Sequence, residues 1–321
     1  MTALRLWSDE IEAMRPEARE VVAAGFAAFA EMLGRDGTPP SDPLERAAAQ
    51  RALYDRNFQA VPEAVDREIA GVRCRIFTPD GPARGVYLHF HGGGMVIGKP
   101  EMNDVGNRAT ARAHDVAVVS VDYRLAPEHP YPAGPDDGIA VAAWLLEHAE
   151  SEFGAARLVL GGESAGGYMA AAVLLRMRDE LDAIDRVVGA NLVFGVYDWG
   201  RSPSQRGIRP SSGPDILDPE GIQFFVDCYV PDRTDEERRD PAISPAFADL
   251  GGLAPLLCSV GSADHLVDDT LLLASRAAAA GTPVDLFVAP DMPHGFGAFP
   301  CGISTAWLAT TNAWFTRVLA D

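Results

Sequence analysis

The sequence is poor in cysteine, in positive charge and in long apolar runs, and each shortage removes a class of answers. Cys74, Cys228, Cys258 and Cys301 are the four cysteines among 321 residues, scattered and without a Cys-x-x-Cys pair. They imply neither a disulfide framework nor a zinc site, and free thiols in a reducing compartment are the simplest arrangement. Lysine and arginine total 27 against 46 aspartates and glutamates, a formal net charge of −19. Such a surface repels phosphate backbones and anionic bilayers, so neither nucleic acid nor membrane is an expected partner. No apolar run reaches the ~18 residues of a membrane span. The opening Met1-Thr-Ala-Leu-Arg-Leu-Trp-Ser-Asp-Glu10 has no basic stretch leading into an apolar core. A secretory leader is therefore not expected, and the cytoplasm is the expected location. Repeats and low-complexity tracts are missing too. What is present, 47% hydrophobic residues, suffices for one large α/β domain with a smaller subdomain.

Organisation follows from periodicity. Residues 1–64 carry two helix-like segments, 8–33 and 43–57, separated by Gly34-Arg-Asp-Gly-Thr-Pro-Pro40. Their apolar positions, Val21, Phe26, Phe29 and Leu33, need a surface to cover. From Asp66 onward strands alternate with helices, the signature of a mainly parallel sheet covered on both faces. Residues 198–244 interrupt the alternation with Arg201-Ser-Pro-Ser-Gln-Arg-Gly207, a helix over 219–229, and the charged Asp232-Arg-Thr-Asp-Glu-Glu-Arg-Arg239. A connection of this length with its own helix reads as an insertion able to cover a site. The charged run reads as a solvated helix face. Trp199, Phe224, Phe225 and Tyr229 are expected to face a substrate or the N-terminal helices. The expected units are 1–64 (helices contributing to a cap), 65–197 and 245–321 (the core), and 198–244 (the cap insertion).

Three clusters carry chemistry. Gly162-Glu-Ser-Ala-Gly166 lies between an apolar strand, Arg157-Leu-Val-Leu160, and the apolar-striped segment Gly166-Gly-Tyr-Met-Ala-Ala-Ala-Val-Leu-Leu-Arg-Met177. Gly-x-Ser-x-Gly between strand and helix is a nucleophile elbow, where glycines permit a turn too tight for side chains. The competing reading is an ordinary serine in a tight turn. A nucleophilic serine needs a base, and the base needs an acid to hold its tautomer. Downstream of Ser164 only His265 and His294 are available. His294 follows the strand Val284-Asp-Leu-Phe-Val-Ala289 in Pro290-Asp-Met-Pro-His-Gly-Phe-Gly297, at a strand's C-terminal edge where sheet proteins build sites. His265 is expected to pack or to face solvent. Asp264, in Gly261-Ser-Ala-Asp264 after the strand Pro255-Leu-Leu-Cys-Ser-Val260, is the favoured acid. Asp268 and Asp269 compete from within a helix-like segment, 266–280.

Upstream, His91-Gly-Gly-Gly94 follows the strand Val86-Tyr-Leu-His-Phe90. Consecutive glycines let backbone N–H groups approach a developing oxyanion, with the amide after the nucleophile as a further donor. Gly93, Gly94 and Ala165 are the candidates, with His91 and Gly92 supporting the loop. A flexible glycine loop and a phosphate cradle are the alternatives, the latter weakened by the missing Gly-Lys-Ser/Thr end. His89 and His91 have no third ligand clustering with them, so no metal is expected, nor any cofactor. Asp122-Tyr-Arg-Leu-Ala-Pro-Glu128 and His129-Pro-Tyr-Pro-Ala133 end the strand Val116-Ala-Val-Val-Ser-Val121 in prolines that forbid helix and ladder alike. A structural role is favoured there, with Asp122 buried and Arg124 and Glu128 pairing or satisfying carbonyls.

Together with Asp264-His-Leu-Val-Asp268 and His294-Gly-Phe296, these motifs resemble those of the hormone-sensitive-lipase-like (bacterial family IV) esterases, from about Arg73 to the C-terminus. The resemblance implies an α/β-hydrolase fold with a helical cap, and hydrolysis of carboxylic esters with short to medium acyl chains. It places the triad on Ser164, Asp264 and His294 and the oxyanion donors on Gly93, Gly94 and Ala165. A small-molecule ester is the implied partner, and a homodimer is compatible with the family. Met95, Glu163 and Tyr168 depart from the residues usual at their positions, which bears on substrate preference. Met95 in particular suggests a roomier pocket wall. An amidase or deacylase using the same triad, or a non-catalytic receptor on the same fold, are the rival functions.

Overall fold

The computed structural model describes residues 5–33, 40–57, 60–210 and 215–320, with the side chains of 28–33, 54, 56 and 57 excepted. The expectations for Phe29, Leu33 and the 34–39 linker lie outside the described residues. Eight strands form one sheet: β1 (Val65–Ile69), β2 (Val72–Phe77), β3 (Gly85–Phe90), β4 (Val116–Val121), β5 (Leu158–Glu163), β6 (Val187–Val193), β7 (Leu256–Gly261) and β8 (Val284–Ala289), in the order β1-β2-β4-β3-β5-β6-β7-β8. The first two pair antiparallel, and all pairs from β4–β3 through β7–β8 are parallel. This is an α/β-hydrolase fold. Strands β3, β4 and β7 are buried along their whole length, which explains why they read as continuous apolar runs rather than alternating ones. The helices are α1 (Asp9–Ala13), α2 (Arg15–Leu33), α3 (Pro43–Asn57), α4 (Asp104–His114), α5 (Ala133–Phe153), α6 (Ala165–Asp179), α7 (Pro219–Tyr229), α8 (Val267–Ala279) and α9 (Gly302–Val318). Among the described residues no helix is long and apolar enough to cross a membrane.

The strand order brings the C-terminal ends of β3, β5, β7 and β8 to one edge of the sheet, and each leads into a loop carrying one of the singled-out motifs. The core under that edge is dense. Gly138 on α5 faces Val173 of α6 so closely that a Cβ there would lie 2.7 Å from the valine.

The structure corrects two expectations and refines two others. The single helix over 8–33 is two: the ring of Pro16 provides no N–H for the bond back to Glu12, so α1 ends at Ala13 and α2 starts afresh. Asp122 is half-buried rather than buried, paired with Arg73 at 2.9 Å. Arg124 and Glu128 do form ion pairs, but with other partners rather than each other, and Arg124 also satisfies the Ala133 carbonyl at 3.2 Å. Arg124 binds Asp137, whereas Glu128 takes two hydrogen bonds from Arg51 of α3 at 2.7 and 2.8 Å. The charged run over 232–239 is mostly exposed, as expected, but it is not a helix. It holds only the short 3-10 turn Glu237–Arg239, in which Arg238 is buried and Arg239 bonds the buried Asp198 at 3.1 Å.

The N-terminal helices cover two places. Ala18 and Val22 of α2 are buried against Phe299 and Ile303, and Phe26 stacks on Phe299 at 5.9 Å. On α3, the guanidinium of Arg46 lies 4.2 Å over the ring of Phe224 in α7.

Candidate active site

β5 runs into α6 through Ser164, whose φ of 58° and ψ of −119° are sparsely populated for a residue with a side chain. The glycines on either side are demanded by a neighbour as much as by the turn. A Cβ on Gly162 would lie 2.2 Å from the Phe90 carbonyl oxygen, and one on Gly166 only 1.9 Å from it. The elbow is therefore pressed against the end of β3, and any larger residue at either flank would push the two strand ends apart. The Ser164 N–H donates to the Val193 carbonyl at 2.9 Å, fixing the turn to β6 as well.

Two further loops meet the serine. His294 Nε2 lies 2.9 Å from Ser164 Oγ, and its Nδ1 lies 2.8 Å from Asp264 Oδ2. Asp264 is fully buried, and its other oxygen accepts the Leu266 N–H at 2.8 Å. The two loops are laced together: Ala263 N–H donates to Met292 O at 3.0 Å and Asp291 N–H to Ser262 Oγ at 2.8 Å. The competing aspartates are committed elsewhere. Asp268 accepts the Ser204 N–H at 2.9 Å. Asp269 is buried and accepts from Tyr197 N, Asp198 N and Ser202 Oγ at 2.7–2.8 Å. Burial pushes the Asp269 carboxyl up to about 7 against the pull of hydrogen bonds from Gln205, Ser202 and the Asp198 N–H. Both residues pin the root of the 198–244 segment to α8. His265 packs inside, its Nδ1 2.7 Å from Ser204 O.

The glycine loop lies beside the serine. Gly93 and Gly94 have φ of 124° and 61°, values that favour glycine. The Gly93 carbonyl accepts from the N–H groups of Val96 and Ile97, which curls the loop. A Cβ on Gly92 would lie 3.0 Å from Glu163 O. His91 is buried, stacks on Tyr123 at 4.2 Å, and donates from Nδ1 to Gly92 O at 2.7 Å. Burial pushes its imidazole down to about 4, so it is neutral at pH 7. One ring nitrogen supports the loop rather than both. Nε2 has no partner among the described residues.

Above Ser164 and Gly94 is a narrow cavity of about 30 Å³ walled by Val196, Trp199, Leu217, Ile222, Phe225, Val226 and Leu266. Of the four aromatics expected to face a substrate or the N-terminal helices, Trp199 and Phe225 line it and Phe224 meets Arg46 of α3, whereas the Tyr229 hydroxyl bonds the Tyr168 hydroxyl at 2.8 Å. None of the departures Met95, Glu163 and Tyr168 lines the cavity. Met95 is wholly buried in the main core, so it does not enlarge the pocket wall. Among the described residues no three His, Cys, Asp or Glu side chains gather as a metal site.

Sequence reasoning missed two supports of His294. Phe194 meets the imidazole edge-on at 4.8 Å. Asp291, in the same loop, binds Arg15 at 2.8 Å and Arg19 at 2.7 Å, both from α2. Burial would raise its carboxyl, but the two arginines hold it below the ordinary range. No local sequence signal pointed to this, because its partners lie more than 270 residues away. Asp291→Asn is expected to cost about 1–2 kcal/mol, since Arg19 is largely in solvent, and to lower kcat severalfold. An unchanged urea midpoint would remove Asp291 from the account.

Residues 87–298 match a family described by its α/β-hydrolase fold. The chain is 34% identical over 281 residues to carboxylic ester hydrolase LipN of Mycobacterium tuberculosis, covering 83% of this chain and 73% of that protein. It is 36% identical over 232 residues to carboxylesterase NlhH of the same species, covering 70% of each. A hormone-sensitive lipase from a metagenome library superposes with a TM-score of 0.76 at 29% identity, over 92% of this chain and 98% of that one. A thermostable carboxylesterase cloned from a metagenomic library gives 0.75 at 30%, over 88% and 99%.

Proposed function

Because the chain belongs to the hormone-sensitive-lipase-like esterases of the α/β-hydrolase superfamily, we propose that it hydrolyses short- to medium-chain carboxylic esters through an acyl-serine intermediate. The observation that carries this is the hydrogen-bonded line from Ser164 through His294 to Asp264, opening on an apolar cavity. With Asp264 accepting Nδ1–H, Nε2 is left bare toward the serine and can take its proton. Oγ attacks the ester carbonyl, and the oxygen that gains charge is held by the N–H groups of Gly93, Gly94 and Ala165. Ala165 is the first residue of α6, where N–H groups lack partners within the helix. One such donor is worth about 3–4 kcal/mol of barrier. His294 then protonates the departing alcohol, water enters, and the same groups release the acid.

Residues 1–64 and 198–244 together act as the cap. Helix α7 supplies Ile222, Phe225 and Val226 as part of the roof over Ser164. A wall with so little polar surface suits an acyl chain, and its modest volume favours a short one. With p-nitrophenyl esters from acetate to palmitate, kcat/KM is expected to be highest at two to six carbons. Beyond about ten carbons it should fall by at least tenfold, about 1.4 kcal/mol of lost transition-state binding. No turnover of any ester by folded protein, or palmitate as the favoured substrate, would overturn the proposal.

A further inference from the structure

Glu163 directly precedes Ser164 and has no place in the reaction just described, yet it is the end of a hydrogen-bonded chain. Its Oε2 accepts from Asn103 Nδ2 at 2.9 Å and lies 3.1 Å from His89 Nε2. On the far side of the ring, His89 Nδ1 lies 3.2 Å from Asn107 Nδ2 and 2.9 Å from Ser120 Oγ. An amide nitrogen only donates, so Nδ1 is the bare nitrogen, and Nε2 carries the proton given to Glu163. The order of carboxylate, imidazole and hydroxyl repeats that of Asp264, His294 and Ser164. Here, however, Ser120 is wholly buried on β4, and His89 is 1% exposed. No substrate reaches that hydroxyl.

We propose that Glu163 is a positioning residue for the nucleophile. Its carboxylate fastens the elbow to His89, and β3 continues from His89 through Phe90 into His91-Gly-Gly-Gly94. The same contact therefore sets the distance between the Ser164 Oγ and the glycine N–H groups. Ser164 sits in a backbone conformation that needs support from its surroundings, and Glu163 anchors the residue on its N-terminal side. Asn103 adds a second anchor from the short helical turn Pro100–Asn103. Both donors converge on a single oxygen, so an amide oxygen in its place can receive both, whereas a methyl group receives neither. This inference rests on the esterase reading above.

The test compares Glu163→Ala, Glu163→Gln and Asn103→Ala on p-nitrophenyl butyrate, with reactive serine counted by a fluorophosphonate. Glu163→Ala is expected to lower kcat per reactive site by about 10- to 100-fold, the scale of a displaced catalytic group, with KM within about twofold. Glu163→Gln should return to within about fivefold of wild type, and Asn103→Ala should fall between. A merely structural side chain would change the number of reactive sites or the melting temperature and leave kcat per site alone. Wild-type kcat per site in Glu163→Ala, a change confined to KM, or a glutamine variant as slow as the alanine one would each overturn the inference. Failure of the wild type itself to turn over esters or to react with the fluorophosphonate would instead overturn the esterase reading.

Discussion

Replacing Ser164 by alanine lowers kcat on short-chain esters by at least about 10³-fold while KM stays within a fewfold. The size follows from how the site is built. In the proposed reaction Oγ is the group that bonds to the acyl carbon, and His294 Nε2 faces it at 2.9 Å. Without it His294 has nothing to deprotonate except water, and Asp264 has no imidazolium to stabilise. Members of such a set act as a unit, so losing one costs nearly as much as losing all. The N–H groups of Gly93, Gly94 and Ala165 remain, and they account for whatever residual rate persists. KM is expected to change little because the walls proposed to hold the acyl chain, Trp199, Ile222 and Phe225 among them, are untouched. Steady-state assays with the variant at high concentration settle the matter, and retention of a tenth or more of wild-type kcat would remove Ser164 from the nucleophile's role.

The second large effect belongs to Asp264. Asp264→Asn is expected to reduce kcat by about 10⁴-fold, because the wrong tautomer of the histidine is then stabilised. Asp264 is fully buried, and its two oxygens already have assigned partners, His294 Nδ1 at 2.8 Å and Leu266 N at 2.8 Å. The Leu266 N–H needs an acceptor, so the asparagine oxygen stays there and its NH₂ turns to His294. Nδ1 must then accept, the proton moves to Nε2, and no lone pair faces the serine. Asp268→Asn is the matched control: Asp268 takes a hydrogen bond from Ser204 N and touches no reacting group. It should keep kcat within about threefold. If instead Asp268→Asn were the crippling change and Asp264→Asn mild, the acid would have been misassigned.

The parts legible in the sequence are those set by backbone sterics and local apolar patterns. Gly162, Gly166, Gly93 and Gly94 stood out because tight approaches tolerate nothing larger. The strands β4 and β8 were readable to the residue from their apolar runs and flanking breakers. The break at Met14 was also encoded, in Pro16, but the continuous apolar pattern on both sides masked it. The rest depends on partners far apart in the chain. Nothing near Asp291 announces Arg15 and Arg19, and nothing near Glu163 announces His89 or Asn103. The burial of Arg238 and the pairing of Arg239 within the charged run over 232–239 were not legible, because composition is blind to Asp198, the buried carboxylate that Arg239 meets. Met95 likewise reads as a pocket residue by its place after the glycines, while its φ of 63° accompanies a side chain turned into the core.

The most direct test of the central claim is the intact mass of the protein after reaction with diethyl p-nitrophenyl phosphate, followed by peptide mapping. A single diethylphosphoryl adduct per chain, located on Ser164, formed in step with loss of esterase activity and absent from the His294→Ala variant on the same timescale, is the predicted result. Esterase activity that survives full modification of Ser164, or an adduct that forms on another residue as activity is lost, would contradict it.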